Sequence, residues 1–344
     1  MPVGAYDTRT LLKVIEEKLD RPKTFLLDTF FPTIQTFDTE SIDFDILKTK
    51  AKLAPFVHPD ATARPTRTGG YETKTFKPAY IKMLEAVKPG RALKRRAGER
   101  YMGEMSPEAR MDAIITDVLD AQRKAILRRK EWMAAQAVRF GQVVVEGPDY
   151  PKQIVDYDRH EDLTVTLLTT ARWGESGVDP LDDIETWAGL VQDHCGVAGT
   201  MITFAPGAWK IARQSERLMK LLDLRRQASG NVELGPVSVD NTITGARYVG
   251  TIGELDFHVY QQSYDEENGT AAKFLDDFNV IVGSSFVEGV QAHGAIEDVE
   301  VLRPLEILPD VYDEKNPSRR FVKSESAPLV VPTRVNAALC AKVR

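Results

Sequence analysis

Cysteine is nearly missing from this 344-residue chain: Cys195 and Cys340 are the whole complement. Two thiols without paired spacing exclude a disulfide-stapled fold and a thiolate metal site, and they fit a reducing compartment. Histidine is almost as sparse, with five residues at 58, 160, 194, 258 and 293. None stands at the local spacing of a ligand pair, so each reads as a surface or internally satisfied histidine. No apolar run approaches the roughly eighteen residues of a membrane-crossing helix. The opening MPVGAYDTRTLLKVIEEK lacks the apolar centre of a secretory signal, so cytoplasmic production is expected. An excess of positive charge is also missing. The formal net charge of −6 argues against a chain whose main task is gripping nucleic acid. Internal repeats and low-complexity tracts are absent as well.

What is present is a long amphipathic segment. From Ser106 to Gly141, apolar residues recur at Met111, Ile114, Ile115, Val118, Leu119, Ala125, Ile126, Trp132, Met133, Ala137 and Phe140. That three-and-four spacing predicts one helix with a single buried stripe, opened by Ser106-Pro107 and stopped by Gly141. Ahead of it, residues 7–18 predict a short amphipathic arm, and Phe25 to Phe31 form an apolar run. SIDFDI at 41–46 and YETKTF at 71–76 alternate as strands of an extended ribbon. Its prolines and thin apolar content suggest an extension laid on a partner. After Gly141, strands are expected at 143–145, 154–157 and 163–168 as a meander, then a turn-rich break at 173–180. A helix capped by Asp179-Pro180 and another over 206–222 flank a strand at 201–204. Strands are expected at 232–239, 246–252, 255–262, 271–275 and 280–283, the last buried on both faces. Residues 303–320 read as proline-broken and charged, and the chain ends in strands.

Candidate chemistry fails on geometry. Asp193-His194-Cys195 places consecutive residues about 100° apart on a helix, so they cannot converge, and Cys195 lies on the apolar stripe. The acids from Asp156 to Asp162 lack the spaced ligands of a calcium loop and read as strand-edge protection. GSSFV at 283–287 lacks the second glycine of a nucleophile elbow. The glycine pairs near 69 and 250 lack a phosphate-loop lysine. No catalytic, cofactor-binding or metal residue is expected, and no cofactor. The local positive field is Arg91, Lys94, Arg95, Arg96 and Arg100, continued on the helix by Arg123, Lys124, Arg128, Arg129 and Lys130. With Asp117, Asp120 and Glu131 in reach it reads as a solvated or intersubunit face.

The order of parts, from arm through two-stranded extension, long helix with sheet and separate compact unit back to the first sheet, resembles the HK97-type capsid fold. The stretches TFFP at 29–32, RTGGYETKTFKPAYIK at 67–82, DPLDDIETWA at 179–188 and FAPGAW at 204–209 carry a closer likeness. So do EENG at 266–269, FNVIVGSSFVEGVQAHGAIED at 278–298 and ESAPLV at 325–330. Together they resemble lambda-type phage major capsid proteins, the major capsid protein E family. The resemblance implies an α+β chain with an N-terminal arm (1–37), an extended β-hairpin loop (38–92) and a peripheral domain with the spine helix (93–175). An axial domain (176–307) and a return to the peripheral domain (308–344) complete it. It implies pentamers and hexamers of an icosahedral shell enclosing double-stranded DNA without sequence-specific binding. Scaffold and portal proteins would act during assembly in the host cytoplasm. In this family a decoration protein often sits at three-fold sites, and no residue here decides for or against one. No membrane partner is implied. Intersubunit contacts are expected at Phe56, Tyr71, Phe76, Arg95, Arg96, Arg123, Arg128 and Arg129. The alternatives are an encapsulin-like compartment of the same fold and a cytoplasmic α+β hydrolase.

Overall fold

The computed structural model describes residues 8–15, 24–47, 56, 58, 71–95, 105–147, 150–221, 245–266, 269–298 and 304–344. The arm forms α1 (Thr8–Lys13), with Leu11 and Leu12 buried. FLLDTFF closes into α2 (Leu26–Phe30), where Leu26, Leu27, Phe30 and Phe31 are fully buried. Strand β1 (Thr33–Thr36) leads to β2 (Ile42–Leu47) and β3 (Tyr71–Phe76), which pair antiparallel from Ile42 opposite Phe76 to Leu47 opposite Tyr71. The expected ribbon is therefore present. The next strand, β4 (Ile81–Val87), is not evident in the sequence, because Leu84 lies on its exposed face and Glu85 on the covered one. A short α3 (Pro89–Leu93) precedes the spine, α4 (Pro107–Phe140).

The spine ends where its sequence dictates. Ser106 Oγ accepts a hydrogen bond from Ala109 N at 3.1 Å, and Gly141 takes φ +68°. That left-handed cap favours glycine, and a Cβ there would also meet Arg159 Cβ at 2.5 Å. After the cap, β5 (Gln142–Gly147) and β6 (Tyr150–Asp156) form an antiparallel hairpin. The third strand expected of that meander is elsewhere. Asp158 adopts φ +60° and turns the chain away, Leu163 ends a 3-10 turn, and β7 (Thr164–Thr166) pairs in parallel with the last strand of the chain.

Helix α5 (Pro180–Cys195) is capped by Asp179, whose carboxylate accepts from Leu181 N. Strand β8 (Met201–Phe204) and α6 (Pro206–Ala212) follow. The helix expected to reach 222 stops at Ala212, because Ser215 opens a new helical segment at 216–221 by accepting from Leu218 N and donating to Asp179. The strand expected at 232–239 lies outside the described residues. Beyond it run β9 (Ala246–Ile252), β10 (Leu255–Tyr260), β11 (Ser263–Asp265), β12 (Ala271–Lys273), β13 (Asn279–Gly283) and β14 (Val290–His293). Residues 303–320, read as proline-broken and charged with no strand placed there, hold β15 (Leu308–Lys315) and the start of β16 (Ser318–Ser326), with β4 as third strand. Cross-strand pairs Asp313–Arg320 (2.7 Å) and Asp310–Lys323 (3.4 Å) stand where apolar alternation would be expected. The chain closes with β17 (Pro328–Val331) and β18 (Ala338–Lys342).

The centre is a six-stranded sheet in the order β7-β18-β13-β8-β10-β9. Alternation divides its middle strands between two cores. Val280, Val282, Leu339 and Ala341 pack with Trp173, Trp187 and Trp209 beneath α5 and α6. Ile281, Ala338 and Cys340 face the opposite core, shared with α2, the C-terminal half of α4, the β5–β6 hairpin and β17. A third core joins α1 to the N-terminal half of α4, β4 and β16 through Leu11, Val87, Ile114, Ile115, Val118, Leu119 and Val322. Among the described residues, no helix is long and apolar enough to cross a membrane.

Candidate assembly surface

The ribbon is rooted firmly. Ile42 and Phe44 are buried, and Phe44 meets Tyr157 edge-on with ring centroids 5.9 Å apart. Tyr157 in turn donates its hydroxyl to Val330 O at 2.5 Å. On the other face Thr73 and Thr75 donate to Asp45 and Asp43, both at 2.5 Å. Lys74 Nζ reaches Asp156 O at 2.9 Å and ties the ribbon to β6. Phe76 is half-buried against the main core, so its side chain belongs to the root. Tyr71 pairs opposite Leu47 at the far end of the described ribbon. Phe56 stands beyond that end with a relative exposure of 105%, which is unusual for a phenylalanine with no partner to cover it.

The spine's basic face is smaller than the sequence suggests. Lys130 is fully buried, with Nζ 2.6 Å from Glu306 and 3.2 Å from His293 Nε2. Glu131 is buried too, and it serves α2 rather than the arginines. Its carboxylate accepts from Leu26 N (3.0 Å), Leu27 N (2.8 Å) and the Tyr260 hydroxyl (2.8 Å), capping a helix that has no side-chain cap of its own. Burial pushes the Glu131 carboxyl above the usual range, against the pull of those three donors. Phe140, placed on the buried stripe by its spacing, is instead exposed, with the Arg139 guanidinium over its ring. The single stripe therefore describes only part of the helix.

Of the expected contact residues, Arg123 is half-buried and donates to Ile15 O at 2.8 Å within its own chain. Arg128 and Arg129 are exposed, and the Arg129 guanidinium lies 5.3 Å from the centre of the Trp132 ring. Arg95 is exposed after α3, and Arg96 lies outside the described residues. Sequence reasoning missed the exposed Leu84 and Leu93, which precede Arg95 in the chain. An alternating reading of 81–87 would have found the first.

Neither thiol is prepared for nucleophilic work. Burial raises Cys195 and pushes Cys340 up to about 11. Arg159, 19 residues past the end of the spine, donates to Val138 O and Arg139 O, carbonyls of the last turn of α4, and desolvation lowers it to about 10.

Comparison with known proteins places these features together. The family model for phage major capsid protein E matches residues 7–343. The major capsid protein of Escherichia phage lambda is 28% identical over 337 residues, covering 96% of both chains. That of Enterobacteria phage P21 is 27% identical over 340 residues with the same coverage. Among solved structures, a prophage capsid protein from E. coli CFT073 superposes with a TM-score of 0.76 at 23% identity, covering 98% of this chain and 99% of the other. The capsid of Ralstonia phage GP4 gives 0.54 at 12% identity, with 93% and 91% covered. The fold is that of the HK97-type capsid proteins.

Proposed function

The chain belongs to the phage major capsid protein E family, and from that premise we propose that it builds the head of a tailed double-stranded DNA bacteriophage. Many copies make the shell, and the chain is a virion component. In the proposal they close as pentamers and hexamers around the genome. The observation that supports this best is the ribbon. Ile42 and Phe44 are buried at its root, Phe56 further along the chain is fully exposed, and a two-stranded ribbon is marginal in water without a partner. A neighbouring copy is the natural cover, since in a shell every subunit presents the same surface.

Closure by many modest contacts makes the assembly stable through multivalency. Exposed Arg128 and Arg129 would meet acids of an adjacent subunit, adding orientation more than affinity. Scaffold and portal proteins would direct closure in the host cytoplasm, with a decoration protein at three-fold sites as an optional reinforcement. The DNA would be enclosed without sequence-specific contact. The arm, extended loop, peripheral, axial and return segments expected from the sequence are the working division of this subunit. Deletion of Thr62–Tyr71, or Phe56→Ser, should leave a soluble folded chain that forms no closed particles. Normal particles by electron microscopy from either variant would overturn the ribbon's assigned role.

A further inference from the structure

Folding assembles one constellation that no local spacing announces. His160 and Asp162 stand in the turn after β6, and His194 lies in the last turn of α5, 34 positions further along. His160 Nδ1 is 3.3 Å and His194 Nε2 is 3.4 Å from the same Asp162 oxygen, Oδ2. All three ligand atoms lie within 4.8 Å of one another, and the two imidazole rings are tilted by 32° with centroids 4.1 Å apart.

We propose that His160, Asp162 and His194 bind a divalent transition-metal cation of the zinc class, which clips the turn after β6 to the C-terminal end of α5. The separations support a cation over a plain hydrogen-bonded trio. Both N···O distances exceed the best range for an imidazole–carboxylate hydrogen bond. They match the edge of a tetrahedron whose metal–ligand bonds are about 2.0–2.1 Å, which is about 3.3–3.4 Å. His160 Nδ1 also lies 3.4 Å from Asp162 N, a long contact that a cation taking the single Nδ1 lone pair would replace. Two nitrogens and one oxygen select zinc, cobalt or nickel over calcium or magnesium, which prefer all-oxygen shells.

The donors are also held in place. Asp158 at φ +60° sets the turn, and His160 N donates to Asn336 Oδ1 at 3.0 Å. Leu163 closes the turn with a fully buried side chain. His194 is only 12% exposed and is fixed by the helix that ends at Gly196. Three protein ligands leave the fourth tetrahedral position to water. The clip would join the turn that follows the β5–β6 hairpin to the helix covering the six-stranded sheet. It does not depend on the capsid reading, because binding is measured on dissociated subunits.

The test is titration of the chelator-treated full chain with Co2+, followed by competition with Zn2+. We expect one equivalent per chain, the intense visible bands of tetrahedral cobalt, and their loss on adding zinc. Asp162→Asn and His194→Ala should each weaken binding by more than about tenfold, beyond what loss of an outer-shell partner costs. The zinc-dependent rise in Tm should vanish with them. Weak octahedral bands from the unaltered chain, or binding that both variants retain at full strength, would overturn the proposal. The cobalt spectrum of the unaltered chain decides the matter even if a variant fails to fold.

Discussion

The two halves of the spine share one backbone and have different surroundings. From Pro107 to Ala121 the helix buries Ile114, Ile115, Val118 and Leu119 on one side and leaves the rest half-buried or exposed, in the manner of an ordinary surface helix. From Gln122 to Phe140 it buries polar groups as well, and each has long-range partners. Gln122 donates to Val322 O and accepts from Ser324, Lys130 meets Glu306 and His293, and Glu131 caps α2. Arg139 holds Phe274 O and Asp276. The first half follows from periodicity. The second half depends on partners up to 200 residues away. A buried charge costs several kcal/mol unless it is matched, so these contacts specify one arrangement of α2, β14, β16 and the spine.

Breaking the C-terminal half should have the largest effect. Glu131→Ala leaves two α2 amides without their acceptor and the Tyr260 hydroxyl with Gln262 Oε1 alone, and should destabilise the subunit by about 3–5 kcal/mol in denaturant unfolding. A second effect concerns pH. Because the folded Glu131 carboxyl is raised, its protonated form stabilises the subunit fully below the unfolded carboxylate pKa, about 4. That contribution is lost as pH rises through the raised value. Melting curves taken across that window should therefore slope less for Glu131→Gln than for the unaltered chain, and equal slopes would remove Glu131 from the account.

The N-terminal half should respond modestly. Ile114→Val removes one buried methylene from the third core and should cost about 0.5–1.5 kcal/mol, read from the shift of the unfolding midpoint. The smallest effect on the isolated subunit belongs to the exposed arginines. Arg128→Glu with Arg129→Glu should change its unfolding free energy by about 0.5 kcal/mol or less while impairing particle formation in sedimentation. A large loss of subunit stability there would merge the exposed face with the core and erase the contrast.

Legibility follows the same division. Ser106, Pro107 and Gly141 fix the spine's ends because caps act within one turn, and β13 reads as doubly buried because four consecutive residues are apolar. The β15–β16 hairpin was hidden because ion pairs occupy positions where apolar alternation would mark a strand. Lys130 and Glu131 look like exposed charges because their burial depends on α2, β10, β14 and Glu306, none of them nearby in sequence. The stretch holding His160 and Asp162 reads as strand-edge protection in the sequence, because His194 reaches it from 32 residues beyond Asp162. The ribbon was legible in its alternation, and its exposed Phe56 pointed beyond the single chain.

The central claim is that the ribbon is completed by a neighbouring copy. A cryo-electron microscopy map of particles assembled from the full chain tests it most directly. The account predicts closed shells in which the ribbon lies across the adjacent subunit and Phe56 is buried against it. Closed shells in which the ribbon folds back on its own subunit, with Phe56 in solvent, would contradict it.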